Sequence, residues 1–196
     1  MHDKLPKSYR RISINSHPRS GSVFLVTNLA NILYLATGTH RPFGLYAITK
    51  APMSWITDSP EDFQVVVIRN PKDTIFSSYA HGEKGNPNSV PTQQGILGQI
   101  DRYIEHMDTY IRLKNNIHFY DFNDLEYALK DIALNFISEL PSGFASKPPE
   151  KTGDHTPSMK GSDFYTRIEK LQLKDNIFEE ANKKYKEALK LCKKPG

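Results

Sequence analysis

The stretch FQVVVIRN, residues 63–70, contains an uninterrupted run of β-branched residues from Val65 to Ile68. A run without polar alternation is typical of a strand that is buried on both faces of a parallel sheet. Pro71 follows at the first position of a predicted helix over 71–81, where its fixed φ favours helix initiation. The stretch therefore predicts a central strand that leads, through Arg69, directly into a helix.

Strands and helices alternate on both sides of this stretch. Strands are predicted over 10–15, 43–49, 63–70 and 116–122, and helices over 22–36, 71–81, 96–114, 123–140 and 168–192. The alternation predicts one domain over 1–196 with an α/β fold, a three-layer sandwich whose central, mostly parallel sheet is flanked by helices. Two long loops rich in turn residues, 82–95 and 141–162, are predicted to be functional or mobile.

Composition excludes several classes of protein. No apolar run approaches the roughly 18 residues of a membrane helix, and the polar start MHDKLPKSYRR lacks the apolar core of a signal peptide. With a single cysteine, Cys192, an intramolecular disulfide and a cysteine metal cluster are both impossible. We therefore expect a cytoplasmic protein that does not associate with membranes.

The net charge of +4 is mildly basic, and part of the excess lies in the segment KKYKEALKLCKKPG, 183–196. Charge runs are usually solvated helix faces, and no nucleic-acid-binding module accompanies this one. A basic cleft for a small polyanion explains the surplus equally well. We expect no nucleic-acid partner.

A small-residue turn, SHPRSGSVFL at 16–25, links the first predicted strand to the first predicted helix. A helix N-terminus offers free backbone N–H groups and a favourable dipole to an anion, and Gly21 allows the backbone to approach closely. Ser20 and Ser22 add hydroxyl donors, and Arg19 adds a planar cation suited to phosphate or sulfate. The same residues also suit an ordinary strand–helix turn with a capping serine.

A second constellation follows the central strand, in VIRNPKDTIFSSYAH at 67–81. Arg69 stands at the carboxyl end of the strand, where ligands bind in parallel sheets, and Ser77 lies eight residues further on, inside the next helix. Pairing of Arg69 with Asp73 or Asp121 is the alternative. The aromatic residues Phe119, Tyr120, Phe122 and Tyr127 are interpreted as core.

Together these two segments resemble the cytosolic and related sulfotransferases, which use the donor 3′-phosphoadenosine 5′-phosphosulfate (PAPS). PRSGSVF, 18–24, is similar to the family's Pro-Lys-Ser-Gly-Thr-Thr-Trp, and RNPKDTIFSSYAH, 69–81, is similar to its Arg-Asn-x-Lys-Asp with a serine eight residues after the arginine. FYDFNDL, 119–125, resembles a Tyr-Glu-Asp-Leu segment, and SMKGSDFYT, 158–166, resembles the Arg-Lys-Gly segment. The resemblance implies a P-loop-like nucleotide-binding fold and sulfuryl transfer to a hydroxyl or amine.

The resemblance also implies the role of each matching residue. Arg19 and Lys50 would neutralise the leaving group, the product 3′-phosphoadenosine 5′-phosphate. No metal is implied. The residues implied to bind the donor are Arg19, Ser20, Gly21, Ser22, Val23 and Phe24 at the phosphosulfate and adenine, and Arg69, Ser77, Lys160 and Gly161 at the 3′-phosphate.

Departures from the family pattern leave the general base open. The family's Lys-Thr-His reads Lys50-Ala51-Pro52 here, and the helix over 22–36 lacks the glutamate that some branches use. His17 and His40 are the candidates, since an imidazole near its usual pKa suits a base, although a structural role is the alternative for each. Met159 and Val23 replace an arginine and a threonine that bind the donor in the family.

Three functions are compatible with these patterns. Besides the sulfotransferase, they are a degenerate sulfotransferase-like binding domain and a P-loop small-molecule kinase, although the turn lacks the Gly-Lys-Ser/Thr ending of a kinase. The chain is short for the family, which predicts an open cleft. A saccharide, a peptide or a small hydroxylated molecule is the expected acceptor, and the sequence leaves the oligomeric state undetermined.

Overall fold

A computed structural model describes residues 9, 11–17, 20–39, 47–51, 56, 61–83, 86, 88–146, 162–174 and 176–195. The strands are β1 (Arg11–Ser16), β2 (Ala47–Ala51), β3 (Asp62–Ile68) and β4 (Ile117–Asp121). The helices are α1 (Ser22–Thr37), α2 (Pro71–Gly82), α3 (Gln93–Arg112), α4 (Leu125–Ala133), α5 (Asp163–Glu169) and α6 (Glu179–Leu189).

The strands form one parallel sheet in the order β2-β1-β3-β4. The run Val65–Ile68 lies in β3, the strand between β1 and β4, and all four side chains are fully buried. Val65 and Val67 join the core on one face of the sheet, and Val66 and Ile68 join the core on the other. The prediction of a central strand buried on both faces is therefore confirmed.

Helices cover both faces, so the predicted three-layer α/β sandwich is confirmed. On one face α1 and α4 pack over Ile12, Ile14 and Tyr120. On the other face α2, α3, α5 and α6 pack over Val66, Ile68 and Phe119. In the described part of the chain no helix is both long enough and apolar enough to cross a membrane.

Local signals explain where most helices begin and end. At the end of α1, Gly38 adopts φ 72° and donates its N–H to the Tyr34 carbonyl at 2.8 Å, as the predicted helix end requires. At the start of α2, Pro71 is the first helical residue and the Asn70 side chain accepts from the Asp73 N–H at 3.4 Å. The Thr92 hydroxyl caps α3, so this helix begins at Gln93 and the connection after α2 is shorter than the predicted loop 82–95.

The helix predicted over 123–140 ends at Ala133. The Asn135 side-chain amide donates to the Asp131 carbonyl at 2.6 Å, which is the acceptor that a continuing helix would offer to the Asn135 backbone N–H. The chain then turns, and the buried ring of Phe136 packs against Phe63 with 5.3 Å between ring centroids.

The single helix predicted over 168–192 is wrong, because the structure has two separate helices, α5 and α6, in this part of the chain. Leu171, Leu173 and Ile177 all pack against the core on the α3 face of the sheet. Their spacing does not fit one helical stripe, so a single continuous helix could not bury all three against this core. Beyond α6 the chain reaches β4, where the Lys193 N–H donates to the Phe119 carbonyl at 2.9 Å.

Candidate functional site

The two motifs emerge side by side at the carboxyl ends of β1 and β3. The chain leaves β1 for α1 on one face of the sheet and leaves β3 for α2 on the other face. Because β2 and β4 lie on opposite sides of this central pair, the ends of β1 and β3 form the point where strand order reverses. Ligands of open α/β sheets bind in the crevice at such a point.

The loop after β1 is suited to an anion. α1 begins after Gly21 with no side-chain cap and no acidic residue in its first turn, so no carboxylate of that turn offsets the positive end of its dipole. Ser20 is 1% exposed, and its hydroxyl has no hydrogen-bond partner among the residues that the structure describes. Buried polar groups are normally paired, so the loop offers donors that an oxyanion would satisfy.

Gly21 presses the loop against the connection between β4 and α4. Its φ of 84° is a left-handed conformation that favours glycine. A Cβ on this residue would lie 2.8 Å from Leu125 Cδ1 and 3.2 Å from Phe122 Cδ2. Both the backbone conformation and the close neighbours therefore favour glycine at this position.

Arg69 is held from two sides. Its backbone carbonyl accepts a hydrogen bond from the hydroxyl of Tyr103 on α3 at 2.8 Å. Burial raises the pKa of Tyr103, so its hydroxyl stays protonated and remains a donor. The guanidinium carbon of Arg69 lies 4.3 Å from the centroid of the Phe122 ring, within the range of a cation–π contact.

Phe122 is a residue of the candidate site that neither of the two motifs includes. The sequence predicts a core role for Phe122, and its half-buried ring does pack against the α1–α4 core. The ring also contacts the Arg69 guanidinium, and its Cδ2 lies 3.2 Å from the position that a Gly21 Cβ would occupy. The available signal was its position: Phe122 directly follows the end of β4, as Arg69 directly follows the end of β3. The carboxyl ends of neighbouring parallel strands lie at the same edge of a sheet.

α2 contributes two buried hydroxyl groups. Ser77 is 2% exposed, and Thr74, one turn earlier, is fully buried. Residues at i and i+3 lie on neighbouring positions of a helix surface, so these hydroxyls lie on one side of α2. The Thr74 hydroxyl has no hydrogen-bond partner within the described ranges. Thr74 is a polar group near Ser77 that the motif did not include.

His17, a predicted candidate for the general base, lies on the α3 face of the sheet. Its ring is fully buried, with its centroid 5.0 Å from that of His106 and 5.3 Å from that of Tyr103. Burial, assisted by Arg102, lowers the pKa of His106, and Glu105 opposes this. An acceptor hydroxyl cannot reach a ring so enclosed without a rearrangement, so this placement favours the structural role for His17.

The remaining predicted residues differ in how much the structure says of them. Lys50 is exposed near the end of β2 and pairs with Ile14 in the β1 ladder, so it lies at the same end of the sheet as the loop. Val23 is half-buried, and Phe24 packs partly against the α1–α4 core. Four predicted residues lie outside the described residues: Arg19, His40, Lys160 and Gly161.

Comparison with known proteins adds no family assignment: no protein-family model matches the chain, and neither does any curated protein. Within the described residues, no group of three His, Cys, Asp or Glu side chains is placed to hold a metal ion. The functional interpretation therefore depends on the geometry of the site itself.

Proposed function

We propose that the chain is a PAPS-dependent sulfotransferase whose donor site lies across the carboxyl ends of β1 and β3. The observation that carries the proposal is the convergence of the two motifs on one ring, since Phe122 contacts the Arg69 guanidinium and its Cδ2 lies 3.2 Å from the position that a Gly21 Cβ would occupy. A glycine loop for one anion and an arginine for a second, at the point where strand order reverses, suit a nucleotide with phosphates at two positions.

The residues present fit such a donor. The uncapped first turn of α1 and the buried hydroxyl of Ser20 offer donors to the 5′-phosphosulfate. Arg69 supplies the planar fork that suits the 3′-phosphate, and Ser77 adds a buried hydroxyl on the helix that follows. PAPS supplies an already electrophilic sulfuryl group, so binding and charge stabilisation are the main tasks of the protein.

In the proposed reaction an acceptor oxygen or nitrogen bonds to sulfur while the bond from sulfur to the bridging oxygen breaks. The acceptor gives up one proton, and the leaving bisphosphate takes one further negative charge. Lys50, and Arg19 by resemblance, would stabilise that charge. The burial of His17 disfavours it as the base that takes the proton, so His40 is the remaining candidate that the sequence offers.

The burial of His17 also favours a second candidate function, a sulfotransferase-like domain that binds a nucleotide bisphosphate without turnover. This candidate keeps the anion loop and Arg69 but needs no general base. The two candidates make the same binding expectation and differ in catalysis, so a transfer assay with saccharide, peptide and small hydroxylated acceptors separates them.

The first experiment is a thermal shift with 3′-phosphoadenosine 5′-phosphate, with ATP and Mg²⁺, and without ligand. Saturating bisphosphate at about 100 times Kd stabilises by roughly 2.7 kcal/mol, which corresponds to a rise in Tm of about 5–10 °C for a chain of this size. Arg69→Ala should reduce the shift strongly, because only the 5′-group would then be bound. Arg112→Ala, which removes an exposed arginine at the end of α3, is the charge-matched control and should keep it.

Each outcome decides between the candidates. A shift with the bisphosphate and sulfuryl transfer to an acceptor support the enzyme, and a shift without transfer supports the binding domain. No shift with the bisphosphate contradicts both. A shift with ATP and Mg²⁺ alone would favour the kinase.

A further inference from the structure

We propose that Phe122 is a positioning residue that makes the site selective for nucleotides carrying a 3′-phosphate, because its ring holds the Arg69 guanidinium in place. The inference rests on the proposed function. It names a residue that neither motif contains.

The contacts of Phe122 differ on its two sides. Toward Arg69, the ring centroid lies 4.3 Å from the guanidinium carbon. Toward the loop, ring atom Cδ2 lies 3.2 Å from the position that a Gly21 Cβ would occupy. A single rigid ring therefore fixes the position of the arginine relative to the backbone that would hold the 5′-group.

The main-chain anchor of Arg69 lies on α3. The Tyr103 hydroxyl holds the Arg69 carbonyl at 2.8 Å, which fixes the backbone but leaves several rotatable bonds out to the guanidinium. An arginine side chain has about 2 kcal/mol of rotamer entropy to lose when it is ordered. Phe122 contributes to ordering the guanidinium before a ligand arrives, so less of that cost falls on binding.

The consequence is specific to one part of the nucleotide. Loss of the ring should weaken the grip of Arg69 on the 3′-phosphate and leave the 5′-group bound by the loop. The measure is the ratio of affinities for 3′-phosphoadenosine 5′-phosphate and adenosine 5′-phosphate, which differ only in the 3′-phosphate. A residue that merely maintained the fold would change both affinities together.

The test compares four variants by isothermal titration with these two nucleotides. Phe122→Leu keeps an apolar side chain but removes the ring face, and we expect it to reduce the affinity ratio about tenfold. Phe122→Tyr keeps the ring and should preserve the affinity ratio of the wild-type protein. Arg69→Ala should bring the ratio close to one, and adding Phe122→Leu to it should change the ratio no further.

Phe144→Leu is the matched control, since Phe144 is another partly buried ring packed against the same core as Phe122. It should leave the ratio unchanged. Thermal melts verify that every variant is folded. If Phe122→Leu does not fold, Phe122→Tyr still tests the proposal, because a Tyr variant that has lost selectivity for the 3′-phosphate contradicts a role for the ring.

The outcomes separate the positioning role from the proposed function. If the wild-type protein binds both nucleotides equally or neither, the proposed function fails. If the wild-type protein selects the bisphosphate and Phe122→Leu preserves that ratio, or loses both nucleotides in parallel, the positioning role is overturned and the proposed function stands.

Discussion

Gly21 gives the sharpest test of the site geometry, because alanine there would meet two separate obstacles. The first is the backbone conformation at φ 84°. A left-handed conformation costs an L-residue roughly 1–2 kcal/mol, and alanine recovers about 0.4–1 kcal/mol by restricting the unfolded chain. The conformational part of Gly21→Ala is therefore about 1 kcal/mol.

The second obstacle is contact. The added Cβ would lie 2.8 Å from Leu125 Cδ1 and 3.2 Å from Phe122 Cδ2, whereas the optimal separation of carbon atoms is about 3.5–4.0 Å. Overpacking costs about 1–3 kcal/mol, and the ends of the Leu125 side chain can move, so the lower half of that range applies. We expect Gly21→Ala to lower the free energy of unfolding by about 2–3 kcal/mol in total.

Gly38→Ala is the matched control, because Gly38 has φ 72° and nothing within 4 Å of its Cβ position. It should lose only the conformational part, about 1 kcal/mol. Urea unfolding followed by circular dichroism measures both variants. In the double variant Gly21→Ala with Leu125→Ala the contact is relieved. The double variant should therefore lose less free energy of unfolding than the two single variants lose in sum. If Gly21→Ala costs no more than Gly38→Ala, the close packing of the loop is refuted.

Three further expectations concern Arg69 and the far edge of the sheet. Tyr103→Phe leaves the Arg69 carbonyl without its partner and should cost about 1 kcal/mol in urea unfolding; an unchanged midpoint would show that water replaces the hydroxyl. Burial, and then the Lys193 cation, lower the pKa of His118 to about 4. The free energy of unfolding should therefore fall as the pH drops from about 6.5 toward 4. The expected loss is about 1 kcal/mol, because the ring is partly exposed and solvent screens its charge. His118→Phe should flatten that dependence, and a profile that keeps its slope would contradict the assignment. Burial raises the pKa of Asp131, but hydrogen bonds from Lys193 and Tyr120 outweigh it and lower the pKa overall. Lys193→Ala should therefore cost roughly 0.5–1 kcal/mol of unfolding free energy at pH 7 and nothing well below pH 3.8, where the carboxyl is protonated. An equal loss at both pH values would show that the effect does not come from the pair with Asp131.

The sheet was readable from the sequence because its signals are local. The run Val65–Ile68 has no polar interruption, and Pro71 and Gly38 mark a helix start and a helix end. The end of α4 was missed because the apolar pattern continues past Ala133, whereas the chain turns there and buries Phe136 against Phe63. Strand-end position predicted Arg69 as part of a site, and in the structure Arg69 and Gly21 both lie close to the Phe122 ring.

The part of the site that the sequence did not reveal depends on long-range packing. Phe122 has an ordinary apolar pattern and packs against the core, and only its position close to Arg69 and Gly21 distinguishes it from its neighbours. His17 follows the strand that leads into the loop, yet its ring lies against His106 on α3. No sequence pattern gives the face on which a residue beyond a strand end will lie.

The pairing of β1 with β3 has a kinetic consequence for any ligand of the crevice. The register begins at Arg11 and Asp62, which form an ion pair across 51 residues of sequence, and closing so long a loop slows folding. A nucleotide held at the ends of both strands must leave before they separate, but it finds no site until they have joined. Such a ligand should therefore slow unfolding while leaving the folding rate almost unchanged.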